Sequence, residues 1–178
     1  MKRFNVNNIN NPTYWDEHQT AIDYGLRQEK YTLLIPENTE TICELGCGLS
    51  PFLERIDVPE RWGVDFSPET VKTCQKRNGG VNYICEDARY TSFPNKSFDV
   101  VVSGEVIEHL ENPQFLIKEM ERLARKRIIL STPILEFEDS EHLWEFDEHY
   151  FISKGFKTEV VESERFKGRI YIFAYKDL

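Results

Sequence analysis

The chain has 178 residues, 40% of them apolar, and 31 acidic side chains against 22 lysines and arginines, a formal charge of -9. That length and apolar share fit one globular domain over 1–178; no apolar run could cross a bilayer, and the opening MKRFNVNNINNPTYWDEH lacks the apolar stretch of a secretion signal. The acidic balance disfavours nucleic acid, because like charge repels a polyanion at long range, and a cytoplasmic protein without membrane contact is expected.

In chain order, the segment 1–36 reads as a helix that caps the domain, and 40–132 as alternating strands and helices. Short β-branched runs at TICEL, RWGVD, VNYIC, FDVVVS and RIILS are each followed by helical spacing or a helix-start signal. The fold class is therefore α/β, a Rossmann-like sheet of seven mostly parallel strands with helices on both faces. Helix starts are marked where Asn11, Ser50, Ser67 and Asn112 each precede a proline, whose missing N–H costs nothing at the first helical position. In NPQFLIKEMERLARK, residues Phe115, Met120, Leu123 and Ala124 form an uneven apolar stripe, widened by Leu116 and Ile117. Residues 133–155 are rich in acids and aromatics, as in an amphipathic surface segment. At 156–178, FKTEVVE and RIYIFAYKDL are joined by a turn alone, so they form an antiparallel hairpin. Cys43, Cys47, Cys74 and Cys85 include no C-x-x-C pair, which suggests buried or loop thiols rather than zinc ligands or disulfides.

The stretch TICELGCGLSPFLERI bares backbone at Gly46 and Gly48 between a strand and a helix start. A dinucleotide fingerprint needs a third glycine where Pro51 stands, and a phosphate loop needs a G-K-[ST] ending, which is absent. What remains is Glu44-x-Gly46-x-Gly48-x-Ser50. An acid beside such a turn suits a ligand with a cationic or donor-rich group rather than a pyrophosphate.

With these residues the chain resembles the class I S-adenosylmethionine-dependent methyltransferases, and among them the small-molecule group that includes the ubiquinone-pathway O-methyltransferases. The resemblance is strong over residues 40 to 133. It implies that the turn Gly46, Cys47, Gly48 passes under the methionine part of S-adenosylmethionine, with Glu44 at its amino end; Ser50 departs from the glycine many members carry. Asp65, closing WGVD, can accept both ribose hydroxyls. In ICEDARY the resemblance implies that Asp87 accepts from the adenine amino group and the Ala88 backbone meets a ring nitrogen, although Glu86 next door offers another register. Phe66 and Tyr90 could sandwich the ring. The backbone at Ser103 and Gly104 closes on the methionine end, and Trp15 and His18 would lie near the cofactor mouth.

The acceptor side falls in SGEVIEHL. If this segment is helical, Glu105 and His109 stand one turn apart with Glu108 beside that face; a solvated helix start is the plainer reading. The segment HLWEFDEHYF adds His142 and His149, and the resemblance implies that 133–155 forms a lid over the acceptor site. His109, His142 and His149 are candidate bases for a hydroxyl acceptor, the first two preferred, with Glu105 beside them. Glu105, Glu108, His109 and His142 would also suit a divalent ion. The expected activity is methyl transfer to a small-molecule acceptor, by a chain that could form a homodimer. Two other readings stand: a metal-dependent RNA 3′-end methyltransferase, which the Glu-x-x-Glu-His cluster also resembles but for which only RLARKR is basic, and a non-catalytic cofactor-binding partner subunit.

Overall fold

The computed structural model of the chain describes residues 2–3, 24–77, 79–134, 142–165 and 167–178. The expected helix starting at Asn11, and the positions of Trp15 and His18, lie outside them. The elements run β1 (Lys2–Arg3), α1 (Tyr24–Leu34), β2 (Thr41–Leu45), α2 (Phe52–Arg55), β3 (Glu60–Asp65), α3 (Pro68–Arg77), β4 (Asn82–Cys85), β5 (Phe98–Gly104), a 3₁₀ turn (Ile107–His109), α4 (Pro113–Leu123), β6 (Ala124–Ile134), β7 (Trp144–Glu145), α5 (Glu148–Ile152), β8 (Lys157–Glu162) and β9 (Ile170–Asp177).

Seven strands form one sheet in the order β4-β3-β2-β5-β6-β9-β8, in which β2 through β6 are parallel neighbours and β9 is antiparallel to both β6 and β8. The expected fold class holds, with one detail the sequence did not show: the second strand of the terminal hairpin, not the first, joins β6. Chain order reverses between β2 and β5, and in such sheets the crevice at the carboxyl ends of the diverging strands receives the ligand.

Alternation along the buried strands supplies both faces. Val101 of β5 packs with Leu116, Ile117 and Met120 of α4 on one side, while Val100 and Val102 pack with Tyr31 of α1 and Phe52 and Leu53 of α2 on the other. Each such side chain, once buried, contributes about 1.5–3 kcal/mol. Among the described helices none is long and apolar enough to cross a membrane.

Three local expectations need correction. The stripe on α4 ends at Leu123, and Ala124 opens β6 opposite Phe98, because strand pairing overrides alanine's helical preference. The basic run RLARKR therefore sits mostly on a strand. Asn112 precedes α4 without a side-chain cap bond, whereas the Ser67 hydroxyl does accept from Thr70 N at 3.1 Å. The helix after Ser50 is only four residues long, entered through a bond from Phe52 N to Ser50 Oγ. One feature had no sequence signal: β1 pairs antiparallel with β7, Lys2 opposite Glu145.

Candidate functional site

The glycine turn leaves β2 with Gly46 at φ 72° and Gly48 at φ 53°, left-handed values that glycine adopts without steric cost. Gly46 N and Cys47 N both donate to Val64 O at 2.8 and 2.9 Å, hooking the turn onto β3. A Cβ on Gly46 would come within 2.3 Å of Val106 Cγ2, so the loop after β5 rests directly on the turn. Asp65 organises the same corner. Its Oδ2 accepts from Gly48 N at 2.8 Å and its Oδ1 from Ser67 N at 2.9 Å.

Glu44 is fully buried, and its Oε1 accepts from Arg27 Nη2 at 3.1 Å. Arg27 also lies 3.7 Å from Glu105 and beside the Tyr31 ring, and Tyr31 in turn bonds to Ser131 Oγ at 2.7 Å. This α1 pair was missed in the sequence. Its signal was there, an arginine and a tyrosine four apart on one helix face, but only the fold shows that they meet Glu44. Burial pushes the Glu44 carboxyl up to about 8, with Arg27 opposing. Ser103 is buried and its Oγ donates to Leu45 O at 2.8 Å, so its side chain straps β5 to β2.

Beyond β4, Asp87 is forked by Arg89, with Nε at 2.9 Å and Nη2 at 2.6 Å, and also accepts from Arg89 N. These bonds from Arg89 hold its carboxyl below the ordinary range, although burial opposes them. The neighbouring Glu86 is engaged by Ser92 N instead. Ala88 is buried, Phe66 half-buried, and Tyr90 exposed against Phe115, with ring centroids 5.6 Å apart.

The acceptor-side expectation is rearranged. Only 107–109 form a turn of 3₁₀ helix, and Glu105 precedes it at φ 56°, a left-handed conformation costing about 1–3 kcal/mol in a non-glycine residue. Glu105 therefore turns to Arg27 and does not stack one helical turn from His109. Glu108, His109 and His142 do converge: one donor atom from each lies within 4.8 Å of the others, and the two imidazoles have centroids 4.7 Å apart. The bond from Leu143 N to Glu108 O, 2.8 Å, and that from Trp144 Nε1 to Leu110 O, 2.7 Å, fasten His142's segment there. Burial, aided by Glu105, drives the Glu108 carboxyl well above its ordinary value. His149 is on the exposed side of α5.

Residues 43–130 match the family model described as a methyltransferase domain. The phthiotriol/phenolphthiotriol dimycocerosates methyltransferase of Mycobacterium leprae is 32% identical over 73% of this chain and 46% of its own length. The mitochondrial ubiquinone biosynthesis O-methyltransferase of Schizosaccharomyces pombe is 34% identical over 51% of this chain and 37% of its own length. This chain thus spans less than half of either relative. In architecture it is similar to the PH0226 protein of Pyrococcus horikoshii, with a TM-score of 0.67, 21% identity, and coverage of 93% of this chain and 99% of that one. The glycine turn, Asp65 at the end of β3, sheet order and family match agree, and the chain belongs to the class I S-adenosylmethionine-dependent methyltransferases.

Proposed function

We propose that this chain transfers a methyl group from S-adenosylmethionine to a small-molecule acceptor, with a hydroxyl as the favoured acceptor group. The observation that carries the reading is an excess of acidic over basic side chains at the carboxyl ends of β2 and β5, with burial favouring the protonated form of Glu44 and Glu108 until a cation arrives. Three carboxyls, Glu44, Glu105 and Glu108, are gathered around one guanidinium, Arg27. No hydrogen bond reaches Glu44 Oε2 from the described residues. A buried carboxylate oxygen without a donor costs about 1–3 kcal/mol, and a ligand bearing an ammonium and a sulfonium would relieve it.

S-adenosylmethionine supplies a methyl group already activated by the sulfonium. The chain's residues bind and orient. Asp65 takes the ribose hydroxyls, and Asp87 shares its carboxylate between Arg89 and the adenine amino group. Arg27 meets the amino-acid carboxylate, and Glu44 the ammonium. His109 or His142 removes the proton from the acceptor hydroxyl, with Glu105 beside the path.

Glu108, His109 and His142 also fit a divalent ion by their chemistry, two imidazoles and a carboxylate. Two donors of one ion, each about 2.1 Å from it, lie at most about 4.2 Å apart, so the cluster would contract slightly on loading. Such an ion would lower the pKa of an acceptor hydroxyl. Glu105, which the sequence reading added to this set, is left with Arg27.

The charges of the basic run favour a small acceptor over RNA. Arg122 pairs with Glu119, Arg125 and Lys126 with Asp99, and Arg127 with Asp177. A paired cation releases few counterions from a polyanion, which is the main source of affinity for one.

The test combines calorimetry with S-adenosylmethionine and its demethylated product and a transfer assay using radiolabelled cofactor, metabolite pools and short RNAs. Heat with both ligands and label in the metabolite fraction are expected; no heat at millimolar concentration sinks the cofactor reading, and label confined to RNA replaces the acceptor class. Repeating the assay after prolonged EDTA treatment decides the ion. Activity that survives, with no metal by elemental analysis, leaves His109 or His142 as base; activity lost and restored by Mn²⁺ or Mg²⁺ assigns the cluster.

A further inference from the structure

The glycine turn carries a second kind of chemistry. Cys47 stands between Gly46 and Gly48, and its side chain packs in one cluster with Cys74 on α3. Both are buried, and together with Val71 and Tyr83 they form a small cluster of their own. Cys74 Sγ donates to Gly48 O at 3.3 Å and receives Arg77 Nη2 at 3.0 Å. Arg77 is anchored in turn to Leu49 O at 2.8 Å and to Glu54 at 2.8 Å, so a fixed cation rests on this sulfur.

We propose that Cys47 and Cys74 are a peroxide-sensitive dithiol whose disulfide ties the glycine turn to α3 and weakens the binding of S-adenosylmethionine. This coupling rests on the proposed cofactor site. The guanidinium of Arg77 on its sulfur favours a thiolate at Cys74, and the thiolate is the form that reacts. The neighbouring Cys47 thiol, opposed by burial and aided by Arg77, lowers the pKa of Cys74, whereas burial raises that of Cys43 and, near Asp65 and Glu86, that of Cys85. Cys74 is thus set apart from the one exposed thiol, Cys85. It lies in the last turn of α3, and helix ends open at a small fraction of the global unfolding energy.

In the first step the Cys74 sulfur attacks a peroxide oxygen. An S–O bond forms, the O–O bond breaks, and hydroxide leaves to become water with the thiol proton. In the second, Cys47 sulfur attacks Cys74 sulfur; the S–S bond forms, the S–O bond breaks and a second water departs. Two thiols are oxidised and one peroxide is reduced, and a dithiol reductant reverses the change. Covalent bonding needs the sulfurs closer than packing contact. The backbone that yields is Cys47's, between two glycines, while Cys74 is held in a helix. Oxidation therefore moves the turn and breaks the Cys74–Gly48 bond.

The full chain is treated with hydrogen peroxide, with and without S-adenosylhomocysteine, then digested without reduction and mapped by mass spectrometry. A Cys47–Cys74 peptide short of two hydrogens is expected, forming more slowly with ligand bound. Affinity for S-adenosylhomocysteine should fall about tenfold, as for a binding-competent state reduced to about a tenth of the population, and recover with dithiothreitol. Cys74→Ser, which keeps a donor for Gly48 O, should bind alike before and after peroxide. Reduced protein that binds the ligand yet gives oxidation only at Cys85, or forms the disulfide with unchanged affinity, overturns the inference. Reduced protein that binds neither cofactor nor product breaks the proposed function instead, and the peptide map is read without any variant.

Discussion

The two ends of the central sheet handle buried charge in opposite ways. At the amino end Asp99 accepts from Glu40 N at 2.8 Å, from Arg125 Nε at 3.0 Å and from Lys126 Nζ at 3.2 Å, while Thr41 Oγ1 accepts from Asp99 N and Arg125 Nη2. One acid faces two cations and a backbone donor. At the carboxyl end three carboxyls face Arg27, and among the described residues no hydrogen bond reaches Glu44 Oε2, while burial leaves Glu108 with only the Thr132 hydroxyl and its own backbone N–H to favour its charge, besides Arg27. Left-handed residues do not separate the ends, since Asn38 and Lys96 share with Glu105 a positive φ. Partnering does. A polar network completed by the chain itself stabilises the fold, and one left incomplete at a topological switch point is where a ligand supplies what is missing.

Substitutions break this contrast in graded ways. The largest effect is expected at Gly104, where a Cβ would lie 2.2 Å from the Tyr31 hydroxyl and 2.4 Å from Arg27 Nη2. Gly104→Ala should displace α1 and cost about 3 kcal/mol or more of stability, together with most cofactor affinity; denaturant unfolding and calorimetry report the two losses, and an unchanged midpoint would mean that α1 docks differently. Asp99→Ala tests the amino end. It removes the acceptor for Glu40 N and two partly exposed cations, so a loss of about 2–3 kcal/mol is expected, with cofactor affinity per folded molecule unaltered. If affinity falls as well, the two ends are not independent.

Asp65→Ala should show the reverse pattern, losing about 2 kcal/mol of cofactor affinity with a smaller change in stability. Calorimetry at equal folded fraction measures it, and affinity equal to that of the parent chain would remove Asp65 from the ribose.

Asp65, the glycine turn and the Ser67 cap were legible in the sequence because each is local: a strand end, a spacing and a cap within a few residues. Arg27 was not, because its partner Glu44 is brought to it only when α1 packs over β2. The Glu105 conformation was hidden for a related reason. The spacing Glu105-x-x-Glu108-His109 is helical on paper, yet Glu105 N is captured by Ser131 O of β6 at 2.9 Å, which holds the residue outside the turn. Ala124 was read as helical because its propensity is local, whereas its strand partner, Phe98, is not.

The smallest expected effect concerns the protonation of Glu44. Its folded pKa of about 8 lies above the 4.5 of a free glutamate, so its contribution to stability is complete below about 4.5 and is lost as pH rises toward 8. Over that window the unfolded chain gives up the Glu44 proton and the folded chain retains it. Glutamine keeps an oxygen for Arg27 but cannot ionise. Glu44→Gln should therefore carry a constant penalty, from leaving Arg27 less compensated, and gain on the parent chain by about 1–2 kcal/mol between pH 6 and 8. The slope, not the offset, is diagnostic, and unfolding curves collected at several pH values give it directly. Parallel pH profiles would mean that Arg27 keeps Glu44 ionised throughout. The surplus charge would then rest on Glu105 and Glu108, on the acceptor side, and the cation missing from this end of the sheet would have to be sought there.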